Sequence, residues 1–149
     1  MLFRSGDAVR FASTEDFYPN DQISVMVFGE KFARERPDVG KRFMKAFLRA
    51  IRDYNDAIEN GKWMDTPRAN EVIGIVAKRL ELKPEQIRAA FPHAVDPDGR
   101  VNLESMRKDL QFFRDIGEFT DAKFKVEDIV DMSFAEAAVR ELGPYRRAP

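Results

Sequence analysis

The chain has no cysteine at all, which excludes disulfides, thiolate metal sites and cysteine nucleophiles while leaving the compartment open. It has one histidine, His93, so no histidine-based metal cluster and no Cys-His pair can be assembled within one copy. Long apolar runs are missing too. Nothing approaches the ~18 residues of a membrane span, and the start, Met-Leu-Phe-Arg-Ser-Gly-Asp, has no core of about 7 to 15 apolar residues of the kind a signal peptide needs. As written, the chain reads as not exported. Charge of either sign is not in excess: the formal net charge is -1, against the strongly basic balance expected of a nucleic-acid binder. The phosphate-cradling G-x-x-x-x-G-K-[ST], the dinucleotide-binding G-x-G-x-x-G and the nucleophile elbow G-x-S-x-G are all absent. No motif calls for an enzyme, a metal or a cofactor.

What is present is apolar area. With 149 residues, 44% of them hydrophobic and 13 of them Phe, the chain is long enough for one domain that buries roughly two-thirds of its unfolded surface. Residues 1–149 are read as a single domain, with Tyr145 to Pro149 as a frayed tail.

The organising stretch is Asp16 to Phe28. Tyr18-Pro19-Asn20-Asp21 has turn chemistry, because Pro fixes φ and Asn or Asp bonds the local backbone. Gln22 to Phe28 (Gln-Ile-Ser-Val-Met-Val-Phe) is rich in β-branched residues and nearly continuous in apolarity, the pattern of a strand covered on both faces. Ala8 to Ala12 alternates well enough for a second, shorter strand. Two strands are a marginal sheet in water, so the shortage of partners is an anomaly. Polar side chains at a strand entrance offer donors and acceptors to a ligand, which makes Tyr18, Asn20 and Gln22 the candidate site; a purely structural turn is at least an even alternative.

Everything after the strand reads as helix. Pro37 to Asn60 repeats apolar residues at Val39, Phe43, Ala46, Phe47, Ala50, Ile51, Tyr54, Ala57 and Ile58, with Gly61 as the stop. Its other face carries Lys41, Arg42, Lys45, Arg49 and Arg52, read as a solvated face in preference to a phosphate or anionic-lipid patch. Thr66-Pro67 opens a helix, Lys83-Pro84-Glu85 a shorter one, and Asn102 caps one with Leu103, Met106, Leu110, Phe113 and Ile116 on its stripe. Ser133 and Glu136 match a capping box for a helix ending at Gly143. Together these elements predict a helix-dominated α+β fold, about five or six helices around a small sheet.

Three features invite chemistry and are read more plainly. Asp96-Pro97-Asp98-Gly99 resembles part of a calcium loop, but aligning Gly99 to the loop glycine puts Ala94 and Ser105 at essential ligand positions, so a Pro-Asp-Gly turn is the better reading. His93, between two prolines, reads as a surface residue rather than a general base. Trp63 reads as a cover for the core edge rather than a stacking platform.

The order of elements resembles a known family. The Pro- and Asn-containing turn, the strand Gln22 to Phe28, the short helix around Glu30 to Arg36 and the run Arg42 to Tyr54 are similar to the C-terminal half of ABC-transporter substrate-binding proteins of the nitrate, sulfonate, taurine and thiamine-pyrimidine type. Asp96 to Ser105, Gln111 to Gly117 and Val130 to Ala138 agree with that ending. The resemblance implies a type II periplasmic-binding fold, whose two α/β lobes close on a small molecule, and hence a periplasmic, non-catalytic solute carrier serving an ABC permease. It implies that the rest of the sheet precedes Met1, that Tyr18, Asn20 and Gln22 lie near the cleft, and that an unpaired strand edge in this chain favours a homo-oligomer. The related pyrimidine synthases use a cysteine-rich motif that this chain lacks.

Overall fold

The computed structural model describes residues 9, 11–12, 14–93 and 95–147. It is a helix-dominated α+β protein with one small antiparallel sheet of two strands. In chain order the elements are α1 (Thr14–Phe17), α2 (Glu30–Glu35), α3 (Pro37–Asp56), β1 (Ile58–Glu59), β2 (Lys62–Trp63), α4 (Pro67–Leu80), α5 (Pro84–Arg88), α6 (Leu103–Asp115) and α7 (Ser133–Leu142), with a 3-10 turn at Val126–Asp128 between the last two. The chain divides into two compact units, one formed by residues 1–27 and 101–130, the other by residues 28–100 and 131–149.

The larger unit is built on α3. Pro37 stands in the helix's first turn, where its missing N–H costs nothing, and Asp38 adds a favourable charge at the positive end. Met44, Leu48 and Ile51, spaced four and three apart, form a buried ridge against Phe134, Ala135 and Ala138 of α7. Leu48 is 0% exposed. The alanines of α7 leave little side chain between the two helices. At the N-terminal end of α3, a Cβ on Gly40 would stand 2.6 Å from the Phe134 ring, so only glycine admits this approach. The ring is held edge-on by Phe28, 5.1 Å away between centroids. A second cluster joins Ile73 and Ala77 of α4 to Ile87 of α5, with Trp63 packed against it and meeting Tyr54 edge-on at 5.3 Å. Trp63 thus covers a core edge, as its sequence context implies.

The smaller unit is different in kind. Its α6 begins at Asn102, whose Oδ1 accepts Ser105 N–H at 3.2 Å. Arg107 grips Glu127 of the 3-10 turn, and Arg114 donates to the carbonyls of Asp121 and Phe124, pinning the returning loop. Among the described residues of this unit, Val126 is the buried apolar side chain. Phe112 and Phe113 of α6 and Ile116, which follows its last residue, are exposed.

Several expectations are corrected. Gln22 to Phe28 is not part of a sheet: Ile23, Val25, Met26 and Val27 are exposed, with Val27 at 76%. The segment has strand composition and no partner strand among the described residues. The strand expected at Ala8 to Ala12 falls partly outside the described residues; Val9, Phe11 and Ala12 belong to none. The polar run Ser13 to Asp16 reads in the sequence as a connector, whereas Thr14–Phe17 form α1.

The sheet that does exist is the hairpin Ile58 to Trp63, pairing Ile58 with Trp63 and Glu59 with Lys62. Its turn residues Asn60 and Gly61 have φ of 49° and 70°, so the expected helix to Asn60 ends at Asp56 instead. The buried ridge of α3 keeps Ile51 of the expected stripe but is otherwise rotated from it, leaving Phe43, Ala46 and Ala50 exposed. Ser133 is the first residue of α7 rather than its cap; Asp131 Oδ1 accepts Ser133 N–H at 2.8 Å, and bonding to Ser133 lowers the Asp131 pKa. Part of the tail expected to fray is held, with Tyr145 N–H donating to Asp98 Oδ1 at 2.9 Å and Arg147 bonding the Ile58 carbonyl.

Candidate functional site

Tyr18, Asn20 and Gln22 are brought together by the fold, and what gathers them is the start of α6. The first turn of any helix leaves N–H groups without intrahelical acceptors. Here the turn before α6 is capped from about eighty positions upstream. Gln22 Oε1 accepts Asn102 N–H at 2.7 Å, while its Nε2 donates to the Ser24 carbonyl at 2.7 Å, so both ends of the amide are engaged. The Asn20 carbonyl accepts from Asn102 Nδ2 at 2.7 Å, an approach helped by a backbone turn with φ of 61° at Asn20. Tyr18 donates its phenol to the Ser105 carbonyl at 3.3 Å.

Ser105 is the hub of this knot. It is buried, its Oγ accepts Gln22 N–H at 2.9 Å and donates to Asp21 Oδ1 at 3.1 Å. The Asp21 carboxylate thereby stands at the N-terminus of α6, where the helix dipole favours a negative charge. On the exposed side of α6, Glu104 and Lys108 form an ion pair at 2.8 Å. Their mutual hydrogen bond lowers the Glu104 pKa and raises that of Lys108.

Chemically, the knot offers neutral donors and acceptors around a single carboxylate. Its one hydroxyl beside a carboxylate, Ser105 Oγ on Asp21 Oδ1, is also engaged by Gln22 N–H. Among the described residues no group of three or more His, Asp or Glu side chains is placed to hold a metal ion. A ligand at Tyr18, Asn20 and Gln22 has to meet groups already serving the cap. The sequence identified Asn102 as a cap; the reach of Gln22 and the part of Ser105 were invisible to it, because both depend on contacts between positions 80 to 84 residues apart.

The remaining polar features are structural. Asp98 of the Pro-Asp-Gly turn is buried and accepts Arg52 Nη2 at 2.7 Å and Arg100 Nη2 at 3.2 Å. Arg52 also donates to the carbonyls of Pro97 at 3.1 Å and Gly143 at 2.7 Å. The guanidinium expected on a solvated basic face is therefore the centre of a buried clamp joining α3, the 96–99 turn and the end of α7. On the same helix Arg42 and Lys45 pair with Asp38 and Glu141, and Lys41 and Arg49 are exposed, which suits a solvated face. His93 is exposed. A cleft of about 450 Å³ between α4 and α5 is lined by Asn70, Ile73, Pro84, Glu85, Arg88 and Ala89. Its one cation, Arg88, is spent on the Met64 carbonyl and Asn70 Oδ1. Among the described residues no helix is long and apolar enough to cross a membrane.

Comparison with known proteins finds no matching family model, no matching curated protein and no matching solved structure.

Proposed function

We propose that the chain is part of the solute-binding component of an ABC-type importer, a non-catalytic, periplasmic protein that takes a small anion, sulfonate or heterocycle and presents it to a membrane permease. The observation that supports this reading is the stretch Gln22 to Phe28. It has the composition of a doubly covered strand, yet it has no ladder partner in the described residues, as a strand of a larger α/β sheet would have once separated from its neighbours. Tyr18, Asn20 and Gln22 stand at the entrance of that stretch, where α/β folds collect their ligand contacts.

Titration calorimetry and thermal melting against nitrate, sulfate, an alkanesulfonate and a pyrimidine test it. One ligand class is expected to bind and to stabilise the chain by about 2.7 kcal/mol at a hundredfold excess over its Kd, and Gln22→Ala is expected to weaken that binding. No heat and no stabilisation with any class overturns the solute-binding reading. The second reading, a self-associating domain without a ligand, is favoured by the exposed apolar side chains of the smaller unit, which are of the kind that seek partners.

A further inference from the structure

The backbone of residues 21–29 runs without helix, turn or bend. Its start is fixed, since Gln22 is bonded to Ser105 and Asn102. Beyond that anchor the amides of Ile23, Ser24, Val25, Met26 and Val27 bond to nothing among the described residues, and only the Ser24 carbonyl accepts a bond, from Gln22. Side chains on both faces are exposed, so neither face of the run is already used for packing. The sequence Ile-Ser-Val-Met-Val contains no charge, proline or glycine, and therefore none of the devices that blunt a strand edge.

We infer that Ile23 to Val27 is an edge strand that pairs antiparallel with the same segment of a second copy, with Val25 on the twofold axis. The inference is independent of whether the chain binds a solute. Charge selects the partner's direction. Antiparallel pairing about Val25 sets Ile23 against Val27 and Ser24 against Met26, while Asp21 meets Gly29 and Glu30 meets Asn20. Parallel pairing in register sets Asp21 against Asp21 and Glu30 against Glu30, and like charges directly opposite are destabilising. The antiparallel arrangement is also self-complementary and closes at two copies, so it does not propagate into a fibre.

The absence of native cysteine makes the test direct. In Val25→Cys the two sulfurs face each other across an antiparallel pair whose Cα atoms stand about 4.5 to 5.5 Å apart, within disulfide reach. Mild oxidation is expected to give a covalent dimer of Val25→Cys and little of Ile75→Cys, an exposed control on α4. Equal cross-linking of the two variants, or none of Val25→Cys, overturns the proposal. Sedimentation supplies the second measurement: Val25→Pro, which removes a ladder donor, is expected to weaken dimerisation at least about tenfold with the helical circular dichroism unchanged. A monomeric wild type at high concentration, or dimerisation of Val25→Pro equal to that of wild type, likewise overturns it.

Discussion

The two units answer the same kind of sequence in different ways. Both contain an amphipathic helix with a sound start, α3 in one and α6 in the other. The stripe of α3 is covered: Met44, Leu48 and Ile51 are closed off by α7. The stripe of α6 is left open at Phe113 and Ile116. The smaller unit is instead held by polar bonds, the knot around Ser105 and the grips of Arg107 and Arg114. The difference teaches that apolar periodicity predicts a helix, while whether its apolar face is covered depends on elements far away in the sequence. Hydrogen bonds exchanged with water contribute about 1 kcal/mol each, far less than a closed apolar cluster, so the stability of the larger unit should dominate.

That comparison can be broken at several points. The largest effect is expected from Leu48→Ala, which opens a cavity in a fully buried site and should cost about 3 to 5 kcal/mol in urea unfolding; a loss below about 1 kcal/mol would mean the α3–α7 contact is loose. Asp98→Ala should cost a similar or slightly smaller amount, about 3 to 4 kcal/mol, because it leaves the Arg52 guanidinium buried without its carboxylate. Gln22→Ala, in the smaller unit, removes an acceptor for Asn102 N–H and should cost about 1 kcal/mol. A cost as large as that of Leu48→Ala would erase the contrast between the units.

The smallest effect belongs to Tyr145. Burial, and then its bond to Asp56 at 2.6 Å, raise the phenol pKa from 10.0 to about 12. The folded protein thus holds this proton more tightly than the unfolded chain does, so the stabilisation is complete below pH 10 and is lost as the pH rises through about 12. Tyr145→Phe should melt below wild type near neutral pH, and the gap should narrow in alkali; a constant gap would mean that the phenol proton plays no part.

Much of the fold was legible in local signals. Pro37, Thr66-Pro67 and Asn102 mark helix starts that the structure keeps, because caps and first-turn prolines act over three or four residues. At Asn60-Gly61 two local signals compete: the dipeptide suits a hairpin turn with two positive φ angles, and its glycine equally suits a helix stop. The phase of the α3 ridge was not legible. Phe43 and Met44 are both apolar, and which of them turns inward depends on Gly40 and Phe134, 94 residues apart in the chain. The roles of Arg52 and Ser105 were hidden for the same reason, since each is defined by partners far away in sequence. For the candidate site, the sequence singled out Tyr18, Asn20 and Gln22 as a group and the fold brings them together; the capping work they do required coordinates.

The central claim is that the larger unit carries its own core whereas residues 23–27 await a partner. Native-state hydrogen exchange on dilute, monomeric protein tests it most directly. Amides of α3 around Leu48 should exchange only through global unfolding, and those of Ile23, Val25, Met26 and Val27 should exchange at nearly the rate of an open chain. Strong protection of the 23–27 amides in the monomer, equal to that of α3, would contradict it.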